Sequence, residues 1–266
     1  MINILIIGKK SFIGSNLNQY LSKFFKINIY SYEKIIFQNE TFFKKYSHLI
    51  NTSIHPYYMN RKYNEKFDLD LKFIKKFKQI NFIYIFLNTR KIYLQKENIT
   101  ENSKKKKPKF NYEKNKLISE RWIKKIIKKK LLSLRISNVI GKKLTLNKRQ
   151  VKKLFYDHFL DFRKIKKNLV FNNDFKDFIT IDHLSVIIKK LIKKNINGIY
   201  NVSLGEKVYV SEMIYWLDKE FSNRVRFNKK RLDSFTLSNK KLLKTINISI
   251  NKNQLKKFCE KLIKKK

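Results

Sequence analysis

Residues 2–7 form an apolar run that ends at Gly8, and "SNLNQYLSKFF" after Gly14 carries Leu17, Tyr20, Leu21 and Phe24 at helical spacing. The pattern predicts a strand, a tight turn and a helix. "INIYSY" (27–32) predicts a second strand, "HLINTS" (48–53) another, and "FIYIFLNT" (82–89) a buried strand after a helix near 64–79. The polar stretch 95–110, which contains Pro108, predicts a surface loop. A helix over 111–129 and a strand over 131–137 follow. Beyond Gly141 the pattern loosens into a basic helix, the stretch "FKDFITIDHLSVIIKKLI", a turn at Asn197-Gly198 and a C-terminal helical region. Strands alternating with helices predict an α/β fold, a doubly wound parallel sheet with helices on both faces. No internal repeat is visible, and the lysine runs read as solvated faces.

Composition adds limits to this picture. The 266 residues are 42% hydrophobic and 14% aromatic, enough to bury a sizeable core in one or two domains. No run of about 18 uncharged apolar residues occurs, and "MINILIIG" lacks the basic start and small-residue cleavage site of a signal peptide. The expectation is a cytoplasmic protein without membrane insertion. Cys259 is the single cysteine, which excludes an internal disulfide and a zinc site built on several thiolates. The histidines show no paired ligand spacing, so no metal is expected.

The net charge of +43 is the footprint expected of a nucleic-acid-binding surface. A blander cause competes with it. The chain has no alanine, only 5 glycines and 2 prolines, and is crowded with Lys, Asn, Ile, Phe and Tyr. Those are the residue types that an AT-biased coding sequence favours, and the charge is spread along the chain, so no specific nucleic-acid partner is expected.

Two stretches carry candidate chemistry. In "GKKSFIG", Gly8 and Gly14 hold the outer positions of a dinucleotide-binding turn, and Ser11 stands where such turns have a middle glycine. Serine is small, and its hydroxyl and backbone N–H are expected to face a phosphate at the positive end of the helix. In "NYEKNKLISE", Tyr112 and Lys116 are four residues apart on a predicted helix and share a face. An ammonium group favours the phenolate form of a nearby tyrosine, which suits proton exchange with an alcohol or ketone. Thr89 ends a predicted parallel strand, where ligands of open α/β sheets bind.

The segments "IIGKKSFIGSNL", "FIYIFLNTRKIYL", "YEKNKLISERWI", "LSLRISNVIG", "FKDFITIDHLS" and "GIYNVSLGEKVYVSEMI" occur in the order seen in the extended short-chain dehydrogenase/reductases. Over nearly its whole length the chain resembles that family's NAD-dependent epimerase/dehydratase group, which acts on nucleotide sugars. The resemblance implies a Rossmann domain over 1–141 to which 177–195 returns, and a small substrate lobe from 142–176 and 196–266. It implies NAD or NADP as cofactor, held by Gly8, Ser11, Phe12, Ile13, Gly14, Ser53 and Lys116. It implies a nucleotide sugar as substrate and leaves room for a homodimer. Tyr112 would be the acid/base, Lys116 would lower its pKa and hold the ribose, and Thr89 would hydrogen-bond the reacting oxygen. The segment Arg135, Asn138, Gly141 places a substrate contact at Asn138, and Lys176, Asp177 and Phe178 fall on structural positions. After the second strand, Glu33 suits the ribose hydroxyls of NAD and Lys34 the extra phosphate of NADP, and the two pull opposite ways. The polar segment from Asn64 to Asp70 does not match the family clearly. One rival is a member that binds cofactor without turnover; another is a nucleic-acid-binding protein using its basic surface.

Overall fold

The computed structural model describes residues 2–105, 110–144, 154–165 and 168–264. Pro108 and most of the span expected to hold a basic helix after Gly141 lie outside the described residues.

Five strands, β1 (Asn3–Ile7), β2 (Lys26–Tyr30), β3 (His48–Asn51), β4 (Ile83–Thr89) and β5 (Leu131–Ile136), fall where the apolar runs predicted them. They pair in the order β2-β1-β3-β4-β5, all parallel. Strands buried on both faces read as continuous apolar runs because successive side chains enter opposite layers. Ile4 and Ile6 pack into the core on one face of the sheet, and Leu5 and Ile7 into the core on the other. The first layer is filled by the helices Phe12–Leu21 and Ile181–Lys193, through Leu17, Leu21, Leu184 and Leu191. The opposite layer is filled by Leu69–Lys76 and Asn111–Ile127, through Leu71, Phe73, Ile74 and Ile123. Each of these fully buried side chains is worth about 1.5–3 kcal/mol relative to exposure.

Helix starts are set by side-chain caps. Ser11 accepts from the Gly14 amide, Asp68 from Leu71 and Thr180 from His183. Each satisfies a first-turn N–H that has no partner within its own helix. The first helix therefore begins at Phe12, before Gly14, and the helix expected near 64–79 is a 3-10 turn, Glu65–Phe67, followed by Leu69–Lys76.

After β5 the chain forms β6 (Asn138–Ile140), the helix Phe155–Arg163, β7 (Leu169–Asn172), β8 (Phe175–Lys176) and β9 (Phe178–Thr180). The helix Ile181–Lys193 follows, then β10 (Gly198–Val202), β11 (Val208–Tyr209), the helix Val210–Leu217 and β12 (Val225–Asn228). Residues 198–202 were expected in the lobe with the rest of 196–266. Instead β10 pairs in parallel with β5 and is the sixth strand of the large sheet. The chain turns at 194–195, with Asn195 at φ 52°, two residues ahead of the predicted Asn197-Gly198, and Gly198, at φ 105°, is the first residue of β10. The remaining small sheets, β6-β9, β7-β12 and β8-β11, surround a separate core of Phe159, Phe178, Met213 and Phe221. Among the described residues, no helix is long and apolar enough to cross a membrane.

Candidate active site

In the sheet order, β1 lies between β2 and β3, so the chain reverses its direction of winding there. Ligands of open α/β sheets bind at such a reversal, beyond the carboxyl ends of the strands. A cleft of about 550 Å³ opens at that edge. Its walls bring together Gly8, Ser11, Phe12, Ile13, Glu33, Ser53, Thr89, Tyr112, Lys116 and Asn138. Of the expected site residues, Gly14 and Lys34 are not among its walls.

The turn after β1 explains the missing glycine. Gly8 has φ 113°, which only glycine adopts readily, and its N–H donates to the Tyr30 carbonyl at 2.7 Å. Ser11 has φ −79° and ψ 149°, an extended conformation open to any residue. Its hydroxyl accepts from the Gly14 amide at 2.8 Å and lies 2.6 Å from the Thr52 hydroxyl, while its own N–H donates to the Gly8 carbonyl at 2.9 Å. Both Ser11 groups are thus spent inside the turn, and the expectation that they face a phosphate is corrected. The amides that the helix start leaves for an anion are those of Phe12 and Ile13, both on the cleft wall. Gly14 acts beneath the turn: a Cβ there would sit 2.5 Å from Thr52 Oγ1 and 2.6 Å from the Gly8 carbonyl oxygen. Thr52, which the sequence reading passed over in favour of Ser53, pins this contact by donating to the Ile7 carbonyl at 2.7 Å.

Beyond β2, Ser31 and Glu33 line the cleft, and Lys9 and Lys10 do so from the glycine turn. Lys34 lies on the same short helix as Glu33, Tyr32–Ile36, but outside the cleft.

At the other end of the cleft, Thr89 closes β4. Its hydroxyl oxygen accepts from the Lys91 amide at 3.3 Å, which leaves its O–H proton to donate. Tyr112 and Lys116 project from the helix Asn111–Ile127 into the same space. Lys116 is only 3% exposed. Its Nζ donates to Asp70 Oδ2 at 3.3 Å and lies 4.3 Å from the centre of the Phe86 ring. Burial works to lower the Lys116 pKa, but Asp70, Tyr112 and Asp68 outweigh it, so the ammonium is held above its ordinary value. For Tyr112, burial pushes the phenol up, Lys116 pulls it down and Asp70 pushes it up again. The net direction is upward, so the expected lowering by Lys116 is present as a force and does not win.

Asp70 is a site residue the sequence reading missed. Its other carboxylate oxygen accepts from Asn51 Nδ2 at 2.9 Å and from the Tyr84 hydroxyl at 2.6 Å. Neighbouring Asp68 caps its helix and accepts from Ser119 and Tyr63. Burial, then the Asp70 charge, raises the Asp68 pKa. Two acids among the apolar residues of "KFDLDLKF" were the available signal, in a chain with only 20 acids.

Asn138 lines the cleft with its amide Nδ2 donating to the Asp177 carbonyl at 3.1 Å, leaving its oxygen for a ligand. Arg135 is a buried structural residue, paired with Glu120 at 2.7 Å and bonded to the Tyr93 hydroxyl at 2.6 Å. Gly141 permits close packing, since a Cβ there would meet Ile181 Cγ2 at 2.5 Å. Asp177 is buried and accepts from the amides of Leu204, Gly205 and Leu237, tying β9 to later segments. Phe178 is fully buried, and Lys176 pairs with Asp233 at 3.3 Å.

The chain matches no protein-family model, and no curated protein is similar to it in sequence. Solved structures are similar to it over almost their whole length. A UDP-N-acetylglucosamine 4-epimerase from Methanobrevibacter ruminantium, in complex with UDP-N-acetylmuramic acid, is 16% identical with a TM-score of 0.77, covering 99% of this chain and 97% of that one. A dTDP-4-dehydrorhamnose reductase from Clostridium acetobutylicum is 15% identical with a TM-score of 0.74, covering 99% of each. A dTDP-glucose 4,6-dehydratase from Bacillus anthracis in complex with NAD is 15% identical with a TM-score of 0.74, covering 99% and 96%. With the winding of its sheet and the cleft at the reversal, the chain has the Rossmann-type fold of these nucleotide-sugar epimerases, reductases and dehydratases.

Proposed function

We propose that the protein is an NAD(P)-dependent enzyme that oxidises or reduces a carbon of a nucleotide-linked sugar, as an epimerase, dehydratase or reductase. The observation that carries this reading is that Tyr112, Lys116 and Thr89 share one cleft with the glycine turn. The walls fit a dinucleotide. Gly8 and Gly14 keep the turn free of Cβ atoms that would collide with Thr52, and the Phe12 and Ile13 amides stand at a helix N-terminus, where a pyrophosphate is favoured. Ser31, Glu33, Lys9 and Lys10 surround the place where the adenosine ribose would lie. When bound, the nicotinamide supplies the hydride chemistry.

The residues of the chain then hold the sugar and manage its proton. Thr89 donates its hydroxyl proton to the reacting oxygen. Tyr112 exchanges a proton with that oxygen, acting as base when an alcohol is oxidised and as acid when a ketone is reduced. Lys116 contributes a fixed positive charge beside the phenol and a donor for the ribose. Asn138 offers its amide oxygen to the substrate. The likeness to structures described as epimerase, reductase and dehydratase supports the substrate class.

A second reading is cofactor binding without turnover: burial and the Asp70 charge raise the Tyr112 pKa, which disfavours the phenolate that alcohol oxidation uses and leaves the phenol that ketone reduction uses. Incubating the purified protein with a panel of nucleotide sugars and both nicotinamides, read by mass spectrometry, separates the two. A converted sugar is expected. Tight cofactor binding with no conversion of any sugar would select the second reading, and no binding of either nicotinamide would overturn both.

A further inference from the structure

We propose that Asp70 is the positioning residue of the cleft, acting through Lys116 to fix where its ammonium group stands. The inference rests on the cofactor-binding reading above. Asp70 is 5% exposed and stands behind the cleft, outside its walls, whereas Lys116 and Asn51 belong to them. Among the described residues, Asp70 is the carboxylate within ion-pair distance of Lys116, at 3.3 Å. The carboxylate is itself immobilised. Its Oδ1 receives Asn51 from the end of β3 and Tyr84 from β4, so two strands of the sheet fix its orientation, and Oδ2 is left for the lysine.

A long lysine side chain gains little from a flexible surface pair but is strongly fixed by a buried, oriented carboxylate. The groups facing the ammonium are Asp70 from its own short helix, Phe86 from β4, Tyr58 from the helix Pro56–Asn60, and Tyr112 from the lysine's own helix. Asp68 adds a more distant negative charge. Remove the Asp70 charge, and burial, the largest force on Lys116, acts to strip its proton. The group offered to the cofactor ribose and to Tyr112 then becomes neutral or swings away.

The test is calorimetric titration of NAD and of NADP into wild type, Asp70→Asn, Lys116→Met and the double variant, with folding checked by circular dichroism. Asp70→Asn should weaken cofactor binding about tenfold, the middle of the range for residues in contact. In the Lys116→Met background the same change should cost less than about twofold, because Asp70 acts only through the lysine. Affinity of Asp70→Asn should also begin to fall at a lower pH than that of wild type, since burial without the Asp70 charge favours the neutral lysine. If Asp70→Asn does not fold, Tyr84→Phe, which removes one of the bonds orienting the carboxylate, carries the test with a smaller loss in wild type and none beside Lys116→Met. Equal binding by wild type and the variant, or losses that add fully in the double variant, overturns the inference and leaves the proposed function standing. Wild type that binds neither nicotinamide overturns both.

Discussion

Gly14→Ala tests the turn most directly, because the added methyl group has nowhere to go. It would lie 2.5 Å from Thr52 Oγ1, 2.6 Å from the Gly8 carbonyl oxygen and 2.7 Å from Ser11 Oγ. None of these atoms yields cheaply. The Thr52 hydroxyl is tied to the Ile7 carbonyl at 2.7 Å, the Gly8 carbonyl accepts from Ser11 N–H at 2.9 Å, and Ser11 Oγ caps Gly14 itself. Ordinary contact therefore requires the helix Phe12–Leu21 to lift from the sheet by roughly half an ångström to one ångström, the kind of displacement that overpacking imposes. Overpacking of this kind costs about 1–3 kcal/mol, and breaking the Ser11 cap adds about 1 kcal/mol. Alanine returns about 1 kcal/mol through its better helix propensity. The net expectation is a loss of about 1–3 kcal/mol, read as a lower urea midpoint with an unchanged slope. Cofactor affinity should fall as well, because the Phe12 and Ile13 amides move with the helix. A Gly14→Ala protein as stable as wild type, or more stable, would show that helix and strand are not in this contact.

Ser11→Ala should cost about 1 kcal/mol in the same denaturation experiment, and Ser11→Gly only a few tenths. Both should bind cofactor nearly as wild type does; a large loss of affinity without a loss of stability would mean that the hydroxyl serves the ligand. His48 is buried and its pKa is depressed to about 4 from 6.5, by burial. Its unfolded form takes up a proton first, so stability is full above pH 6.5 and falls as the pH drops toward about 4. The loss, on the order of 3 kcal/mol, should shrink in His48→Gln, and parallel pH–stability curves for the two proteins would contradict it. Tyr112→Phe should keep cofactor affinity and lower turnover by about two to four orders of magnitude. A decrease of less than about tenfold with a converted nucleotide sugar would remove Tyr112 from the acid/base role.

What the sequence determined by itself is local or periodic. An apolar run, a glycine and a helical spacing within some 20 residues are enough to specify β1, its turn and the following helix, because side-chain period and backbone freedom are properties of neighbouring residues. The same holds for the helix carrying Tyr112 and Lys116, whose shared face follows from a four-residue interval. The residues singled out in the sequence include ten that line the cleft, from Gly8 to Asn138. What the sequence could not supply were relations between distant segments. Gly198–Val202 looks like any short strand until β5 provides the backbone partners that make it the sheet's sixth member. Lys34 and Glu33 are adjacent in the chain, and only the docking of their short helix turns Glu33 into the cleft and Lys34 out of it. Ser11 reads as an eroded phosphate contact until Thr52, 41 residues away, is brought to 2.6 Å from it. Asp70 and Lys116, separated by 46 positions, become an ion pair only when two helices pack on the same face of the sheet. Their charges then act on each other where both side chains are buried, and burial and distance decide the outcome while sequence spacing has no hold on either.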